Sequence, residues 1–463
     1  MKQVTRRIWV ASMMLALLGL SGCKVSLDRV AKWKKKGDTA RLKKCLSDKK
    51  QSLKVRTASG LALVDLGNCY GVEAMLARVH KRSSTEASTL ADRMAKELLP
   101  QLKGLDDGSI KAKDGLFSVW RFATVSVRAN IEDRLVKWLL DHYVAAATAG
   151  EHSAAKILST MGPLASNVLA KYLTLDHPKL YEIAGIIRKT ADASAKKTIT
   201  GRIISNLKAN PGKMSRPQVL YTLGRLCMPS GVSYLQNLAT AGMNYKIRRE
   251  ALISLRLCPN PKSIAIAGGI LKTILDSDIK GTPVELPSFD DRKPGVIGQC
   301  FELMDTVHHW PLAKKALRPL LITNNNAPLP QDAQDQKLLI RMQGAQFAVY
   351  MGGLDGLKMI LADLPKDVYP PIYVNTPALA IRQKFAKGKD RINALAGLRQ
   401  TLKNGSLVAK MIAIKSLARI GEKTTDLPLL RALARDRTPV AGWKPGTTIG
   451  VLASTAAERL AGK

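Results

Sequence analysis

Apolar residues recur at spacings of three and four along nearly the whole chain, and this helical period excludes most folds at once. It is clear in Ile131, Leu135, Trp138 and Leu139, and again in Met411, Ile412, Ile414 and Leu417. Strictly alternating runs bounded by Asn-Gly turns, the mark of half-buried strands in hairpins, are missing. Ser83-x-x-Glu86 and Asn130-x-x-Asp133 read as caps that open helices. The spacing therefore predicts an all-α protein. Its 463 residues exceed what one hydrophobic core organises, since single cores stop growing at about 250–300 residues. Two or three domains, or one elongated array of helices, remain.

Self-similarity favours the array. Leu66-Gly67, Met161-Gly162, Met351-Gly352 and Ile420-Gly421 each place Gly after an apolar helix-ending residue, and Arg225-Leu226-Cys227 and Arg256-Leu257-Cys258 end two more helices. The intervals between these markers are multiples of about 32 residues, a period typical of stacked helical repeats. A second marker, Val55-Arg56, Ile247-Arg248 or Ala409-Lys410, precedes the turn by ten or eleven residues. Each unit thus reads as helix, turn, helix. Gly suits the turn because it takes the left-handed conformation at little cost. Cys does so less readily, so the two Cys turns should differ in shape.

These features resemble HEAT-like repeats of the phycobilisome-lyase type, in which Val-Arg opens the second helix, small residues line it and Ile-Gly closes it. Residues 247–271 and 408–434 match best, followed by 55–79. The resemblance implies an α-solenoid of antiparallel helix pairs, a HEAT-like superhelix, in which each pair buries its apolar face against its neighbours alone. Gly224 and Ala418 then serve close helix approach. The expected organisation is a leader over 1–22, a basic start over 23–56, repeats over 57–275, a Pro/Asp-rich loop over 276–295 and further repeats over 296–463. Further interruptions are expected at 324–330, 365–377 and 438–446.

The leader is legible in its own right. Lys2, Arg6 and Arg7 precede an apolar run from Ile8 to Leu20, followed by Ser21-Gly22-Cys23. This is the layout of a secretory signal, and the run is shorter than the roughly 20 residues of a spanning helix. Leu20-Ser21-Gly22-Cys23 resembles a bacterial lipobox, which implies cleavage before Cys23 and lipidation of that cysteine. Two or three acyl chains give stable anchoring where one is marginal. Lys24, where an Asp would resemble an inner-membrane retention signal, points to the outer membrane rather than the inner. The expected location is the cell envelope.

Chemistry is sparse. The six histidines, His80, His142, His152, His177, His308 and His309, contain no His-Glu-x-x-His pair, and on a helix the rings of His308 and His309 would diverge by about 100°. No Gly-x-Ser-x-Gly elbow and no P-loop spacing occurs. No catalytic residue, metal or cofactor is expected, and the chain does not read as an enzyme. Beyond Cys23 the cysteines are Cys45, Cys69, Cys227, Cys258 and Cys300. Cys227 and Cys258 occupy equivalent places in adjacent units, and helix packing at about 9–10 Å argues against a bridge that needs Cα atoms within about 7 Å. Cys45 and Cys69 flank one hairpin, where a bridge or two buried thiols are both open.

Charge is the strongest functional signal. The net charge is +37, and thirteen basic residues face three acidic ones between Lys24 and Arg56. The centre of this cluster is Lys32-Trp33-Lys34-Lys35-Lys36. Each lysine near an anionic surface contributes about 1 kcal/mol, fading over a Debye length. The expected function is a lipid-anchored scaffold or adaptor. Its helical-repeat surface would bind a protein partner, while Lys32, Lys34, Lys35 and Lys36 face anionic lipid or envelope polymer. An exported chain seldom meets nucleic acid, which is therefore not an expected partner. The alternative is an envelope enzyme or a nucleic-acid-acting HEAT-like protein similar to the alkylpurine glycosylases, marked by a pocket with a buried carboxylate beside stacked Trp residues.

Overall fold

The computed structural model describes residues 24–240, 244–276, 295–322, 331–363, 371–440 and 443–462. The leader, Cys23, the whole 324–330 segment and most of 276–295 lie outside the described residues. Among the described residues there is no strand, only an isolated bridge between Pro439 and Thr448. The protein is all-α. The described residues form two compact units, up to Asn206 and from Leu207 onward.

The first unit contains α1 (Leu27–Lys35), α2 (Thr39–Ser47), α3 (Leu53–Asp65), α4 (Cys69–Arg82), α5 (Ser84–Leu98), α6 (Asp107–Trp120), α7 (Val125–Asp141), α8 (Tyr143–Ala146), α9 (Ala154–Tyr172), α10 (Leu180–Thr190) and most of α11 (Ala193–Ala209). The second contains α12 (Pro217–Leu226), α13 (Pro229–Thr240), α14 (Tyr245–Arg256), α15 (Pro261–Asp276), α16 (Val296–Val307), α17 (Trp310–Ile322), α18 (Gln331–Asp363), α19 (Pro371–Phe385), α20 (Arg391–Asn404), α21 (Leu407–Ile420), α22 (Lys423–Leu433) and α23 (Ile449–Ala461). Within each unit, helices that pack extensively lie within three places of each other in chain order. In the first, α2 packs on α3 and α4, and α4 packs on α5 and α6. In the second, α12 packs on α13 and α14, α19 on α21, and α21 on α23. Leu63, Leu76, Leu90 and Leu116 are fully buried in the first unit, and Ile412, Ile414 and Leu417 in the second.

The basic residue that opens a helix has a definite task. Arg56 is buried in α3, and its Nε donates to the Leu46 carbonyl in the last turn of α2 at 2.8 Å, while its guanidinium pairs with Glu86 of α5. In the second unit Arg248 donates from Nε to the Ala239 carbonyl in the last turn of α13 at 3.2 Å. Each arginine satisfies a carbonyl that the preceding helix leaves without an intrahelical partner. It thereby ties the start of one helix to the end of the one before.

The turns divide into those that follow the glycine reading and those that do not. Gly67 takes the left-handed conformation (φ 70°) just past α3. The turn near Met351 is one residue later than expected: Gly353 (φ 55°, ψ −128°) interrupts α18. A Cβ at Gly356 would collide with the Ala348 carbonyl. Eight residues of unbroken helix would separate the two by about 12 Å, so the chain doubles back here and supplies a hairpin. Gly162, by contrast, sits inside α9, where a Cβ would strike Thr190 of α10. It is a close-packing residue rather than a turn. Gly421 ends α21 in an extended conformation (φ −64°, ψ 168°), so the left-handed cap expected there is corrected. What excludes a side chain at Gly421 is the Leu417 carbonyl, 2.5 Å from where a Cβ would stand. Asn130 lies within α7 and caps nothing, whereas Ser83 does accept from the Glu86 amide at 3.2 Å. The expected loop over 365–377 also shortens, because α19 begins at Pro371 and carries Pro377 within it.

The cysteines provide the largest correction. Cys227 and Cys258 form a disulfide with Cα atoms 5.2 Å apart, against the expectation of separation. Helix-axis distance was the wrong ruler, because both residues lie beyond the helix ends, Cys227 at a left-handed cap (φ 57°). The axes also come unusually close: Gly224 of α12 meets the Ser254 backbone of α14, where any Cβ would clash. Cys45, Cys69 and Cys300 are buried and outside any disulfide, so Cys45 and Cys69 are not joined. The bridge spans 31 residues, and by chain entropy such a loop contributes about 3–4 kcal/mol. Replacing both Cys227 and Cys258 by Ala should lower unfolding free energy by about that amount. An unreduced digest should contain the two peptides linked, and finding both only as free thiols would contradict the pairing.

Candidate functional site

The basic start folds as a capped helix. The Ser26 side chain accepts from the Arg29 amide at 3.3 Å and opens α1, and Lys36 follows its last turn. Lys32, Lys34, Lys35 and Lys36 are all exposed, and Trp33 is half-buried. The structure does not leave the four lysines equivalent. Lys34 pairs with Asp65 of α3, whereas Lys32, Lys35 and Lys36, at i, i+3 and i+4, share another face of the helix. Three residues, rather than four, therefore form the outward basic face.

His308 and His309 do not lie together on a helix. His308 is the left-handed cap (φ 53°) of α16, and α17 begins directly after His309. No group of three His, Cys, Asp or Glu residues among the described residues is arranged to hold a metal ion. Trp120 donates to Glu132 at 2.8 Å, but both are buried in the contact between α6 and α7.

A concave site that sequence reading missed lies in the second unit. α19, α21 and α23 pack side by side and enclose a pocket of about 240 Å³. Lys415 and Arg419, one turn apart on α21, meet Arg459 of α23, with Asn375 of α19 and Thr455 of α23 completing the polar lining. No carboxylate among the described residues lines it. Burial, together with the neighbouring charges of Arg419 and Arg459, pushes the Lys415 pKa down. Burial and the charges of Arg459 and Arg382 do the same to Arg419. Arg419 also reaches the Asn375 carbonyl at 3.4 Å, and the Lys415 ammonium stands 5.5 Å over the Trp443 ring. Nearby acids are engaged elsewhere: Glu422 and Asp426 bind Arg399, at 2.8 and 2.6 Å, and Glu422 also binds Arg391. The three helices contribute residues up to 84 positions apart, which is why no local motif announces the pocket.

A wider basic groove of about 740 Å³ lies in the first unit, with Arg93, Lys96, Lys103 and Arg134 around Leu99 and Pro100. Its one acid, Asp92, accepts from the Thr124 amide and hydroxyl at 2.9 and 2.8 Å.

A buried polar knot also escaped the sequence. Fully buried Lys113 of α6 donates to the His152 carbonyl at 2.6 Å and pairs with Asp114 at 3.0 Å. Asp114 accepts from the amides of Glu151 and His152 at 2.8 and 3.1 Å. Glu151 in turn accepts from the Cys69 and Tyr70 amides at the start of α4, at 2.7 and 3.1 Å. The knot thus ties the segment before α9 to α6 and α4. The His152 ring is enclosed by Tyr70 and Phe117, and neither ring nitrogen has a hydrogen-bond partner among the described residues. Burial, then the charges of Lys156 and Lys113, lowers its pKa to about 4. Burial pushes the Cys69 thiol strongly upward, so it is a packing residue and not a nucleophile.

No family model matches the chain, and no curated protein does. Among solved structures, an engineered protein determined by a structural genomics consortium aligns over 92% of this chain and 99% of its own, at 12% identity and a TM-score of 0.26. A likeness that slight carries no argument about fold or function.

The knot generates a pH prediction with a definite sign. His152 is held neutral in the folded chain and ionises near pH 6.5 when unfolded, so below that pH the unfolded state takes up the extra proton. Its contribution is complete above about pH 6.5 and is lost as pH falls toward about 4, with a limiting slope of about 1.4 kcal/mol per pH unit. His152→Phe should flatten the fall in stability between pH 6.5 and 4.5, measured by denaturant unfolding. An unchanged profile would show that His152 is not the group responsible.

Proposed function

We propose that this protein is a lipid-anchored scaffold or adaptor of the bacterial cell envelope. In this reading the helix pairs form a HEAT-like α-solenoid whose repeat surface binds a protein partner, and the α1 face lies against anionic lipid or polymer. The observation that carries it is the placement of Lys32, Lys35 and Lys36 on one exposed face of a helix beginning four residues after Cys23. Packing of helices only on close neighbours in chain order, within each unit, supports the repeat reading. The Cys227–Cys258 bridge supports export, because disulfides persist in oxidising compartments. No helix among the described residues is long and apolar enough to cross a membrane, and the reading assigns attachment to a lipid on Cys23.

The test separates anchor from surface. Metabolic labelling with a palmitate analogue should mark the wild type and not Cys23→Ser. Label retained on Cys23→Ser would overturn the anchor. In an unlipidated form, reversing Lys32, Lys35 and Lys36 to Glu should weaken co-sedimentation with anionic vesicles at least tenfold at low salt. Wild-type binding should itself fall steeply toward 0.15 M salt, where screening acts within about 8 Å. Lys34 stays in place because of its bond to Asp65. Binding indifferent to salt and to the three reversals would reduce α1 to a solvated helix face.

A further inference from the structure

In the first unit α7 is pinned alongside α5 at two places. Where α7 begins, the Thr124 amide and hydroxyl donate to Asp92 of α5 at 2.9 and 2.8 Å. Toward its far end, the Trp138 indole donates to the Gly104 carbonyl, just beyond α5, at 3.1 Å. The two elements therefore run in the same direction. Thr124 and Trp138 stand fourteen positions apart, so the groove of about 740 Å³ between them extends for about 20 Å.

The lining is ordered along that length. Arg93 and Lys96, one turn apart, belong to the Asp92–Thr124 end, while Lys103 adjoins Gly104 and Arg134 lies one turn before Trp138. Leu99 and Pro100 come between the two cation pairs, and Val127 lines the groove from α7. Four cations thus answer to one carboxylate, Asp92, which Thr124 already occupies. Arg93, Lys96, Lys103 and Arg134 are exposed, and the charged end of none has an ion pair or hydrogen bond among the described residues. Other exposed lysines of this unit do pair, Lys34 with Asp65 and Lys171 with Asp133 among them. A bare apolar side chain also marks each end: Val125, beside Thr124, is 83% exposed, and Leu105, beside Gly104, is 47% exposed.

We propose that this groove docks an acidic amphipathic helix of a protein partner. The assignment rests on the protein-binding part of the function proposed above and supplies its surface. An amphipathic helix lays one face into such a groove, and about 20 Å accommodates about fourteen of its residues. Cation pairs about 10–15 Å apart along the groove call for acidic residues about seven to ten positions apart on that face. Apolar residues between them would cover Leu99 and Pro100. A phosphate or sugar polymer would answer the cations and leave that apolar stretch bare. A flat bilayer meets a convex face such as α1 and does not enter a groove.

Fluorescence polarisation of the unlipidated full chain with a labelled helical peptide is the test. The peptide carries two glutamate pairs flanking leucines on one face, over about fourteen residues. Saturable binding is expected, at least tenfold weaker for the same composition in scrambled order and for leucines changed to glutamine. Arg93→Glu combined with Arg134→Glu, at exposed positions, should weaken binding at least tenfold with an unchanged circular dichroism spectrum. The peptide with lysine in place of glutamate should then bind this double variant more tightly than the wild type. Reversal of Lys32, Lys35 and Lys36 should change nothing, which separates the groove from the α1 face. Absence of saturable binding, or equal affinity for the scrambled peptide, would overturn the proposal. Sequence-selective binding that survives the double variant would also overturn it, while leaving the protein-binding function in place on another surface. Displacement of the peptide by phosphatidylglycerol vesicles through Arg93 and Arg134 would overturn it in favour of a lipid.

Discussion

None of these helices is stable alone. Most span 9–19 residues, near or below the length at which an isolated helix is marginal in water, so each depends on burying its apolar stripe against others. Within each unit those others are near neighbours in the chain. That constraint makes every helix end a junction, where carbonyls and amides without intrahelical partners must be satisfied by the next element. The arginines do this repeatedly. Arg56 and Arg248 each reach back to the last turn of the preceding helix, and Arg391 donates to the Ile420 carbonyl at the end of α21 at 2.9 Å. Apolar burial supplies the driving force, and these polar links fix which end meets which.

The same logic explains what a linear reading reaches. Helical period, the Ser83 cap, the Gly67 turn and the arginines that open α3 and α14 are local patterns, and they stand in the structure as the residues suggest. Gly162 and Gly421 carry the same signature as Gly67, yet each is required by a neighbouring atom rather than by its own backbone angle. Nothing within a few residues distinguishes the two cases. The Cys227–Cys258 bridge depends on how closely Gly224 lets α12 approach α14, a tertiary distance. The Lys415, Arg419 and Arg459 pocket depends on three helices meeting, and the Lys113 knot on a segment 36–39 residues downstream. Signals of that kind are visible only once the helices are placed.

The charge imbalance has a structural side. Many of the 36 acidic residues serve as internal partners: Asp114 and Asp426 are buried, Glu86 and Glu250 bind Arg56 and Arg249, and Asp65 binds Lys34. With those carboxylates committed to holding helices together, the excess of 37 basic residues, 73 against 36, gathers in places where acids are few among the described residues. The α1 face, the groove around Arg93 and Lys96, and the α19–α21–α23 pocket are such places. Their shapes differ, a convex helix face, an open groove and a small cavity, so one anionic ligand does not suit all three.

Neighbour-only packing is the central claim, and hydrogen exchange on Arg399→Ala tests it most directly. Arg399 holds Asp426, which is fully buried, and Glu422, so its removal leaves a buried carboxylate without that partner in α22. The account predicts that amide protection falls in α20, α21, α22 and their immediate neighbours, while α1–α6 exchange as in the wild type. Simultaneous loss of protection across residues 27–141 would contradict it, because stability would then be shared by the whole chain rather than passed between adjacent helices.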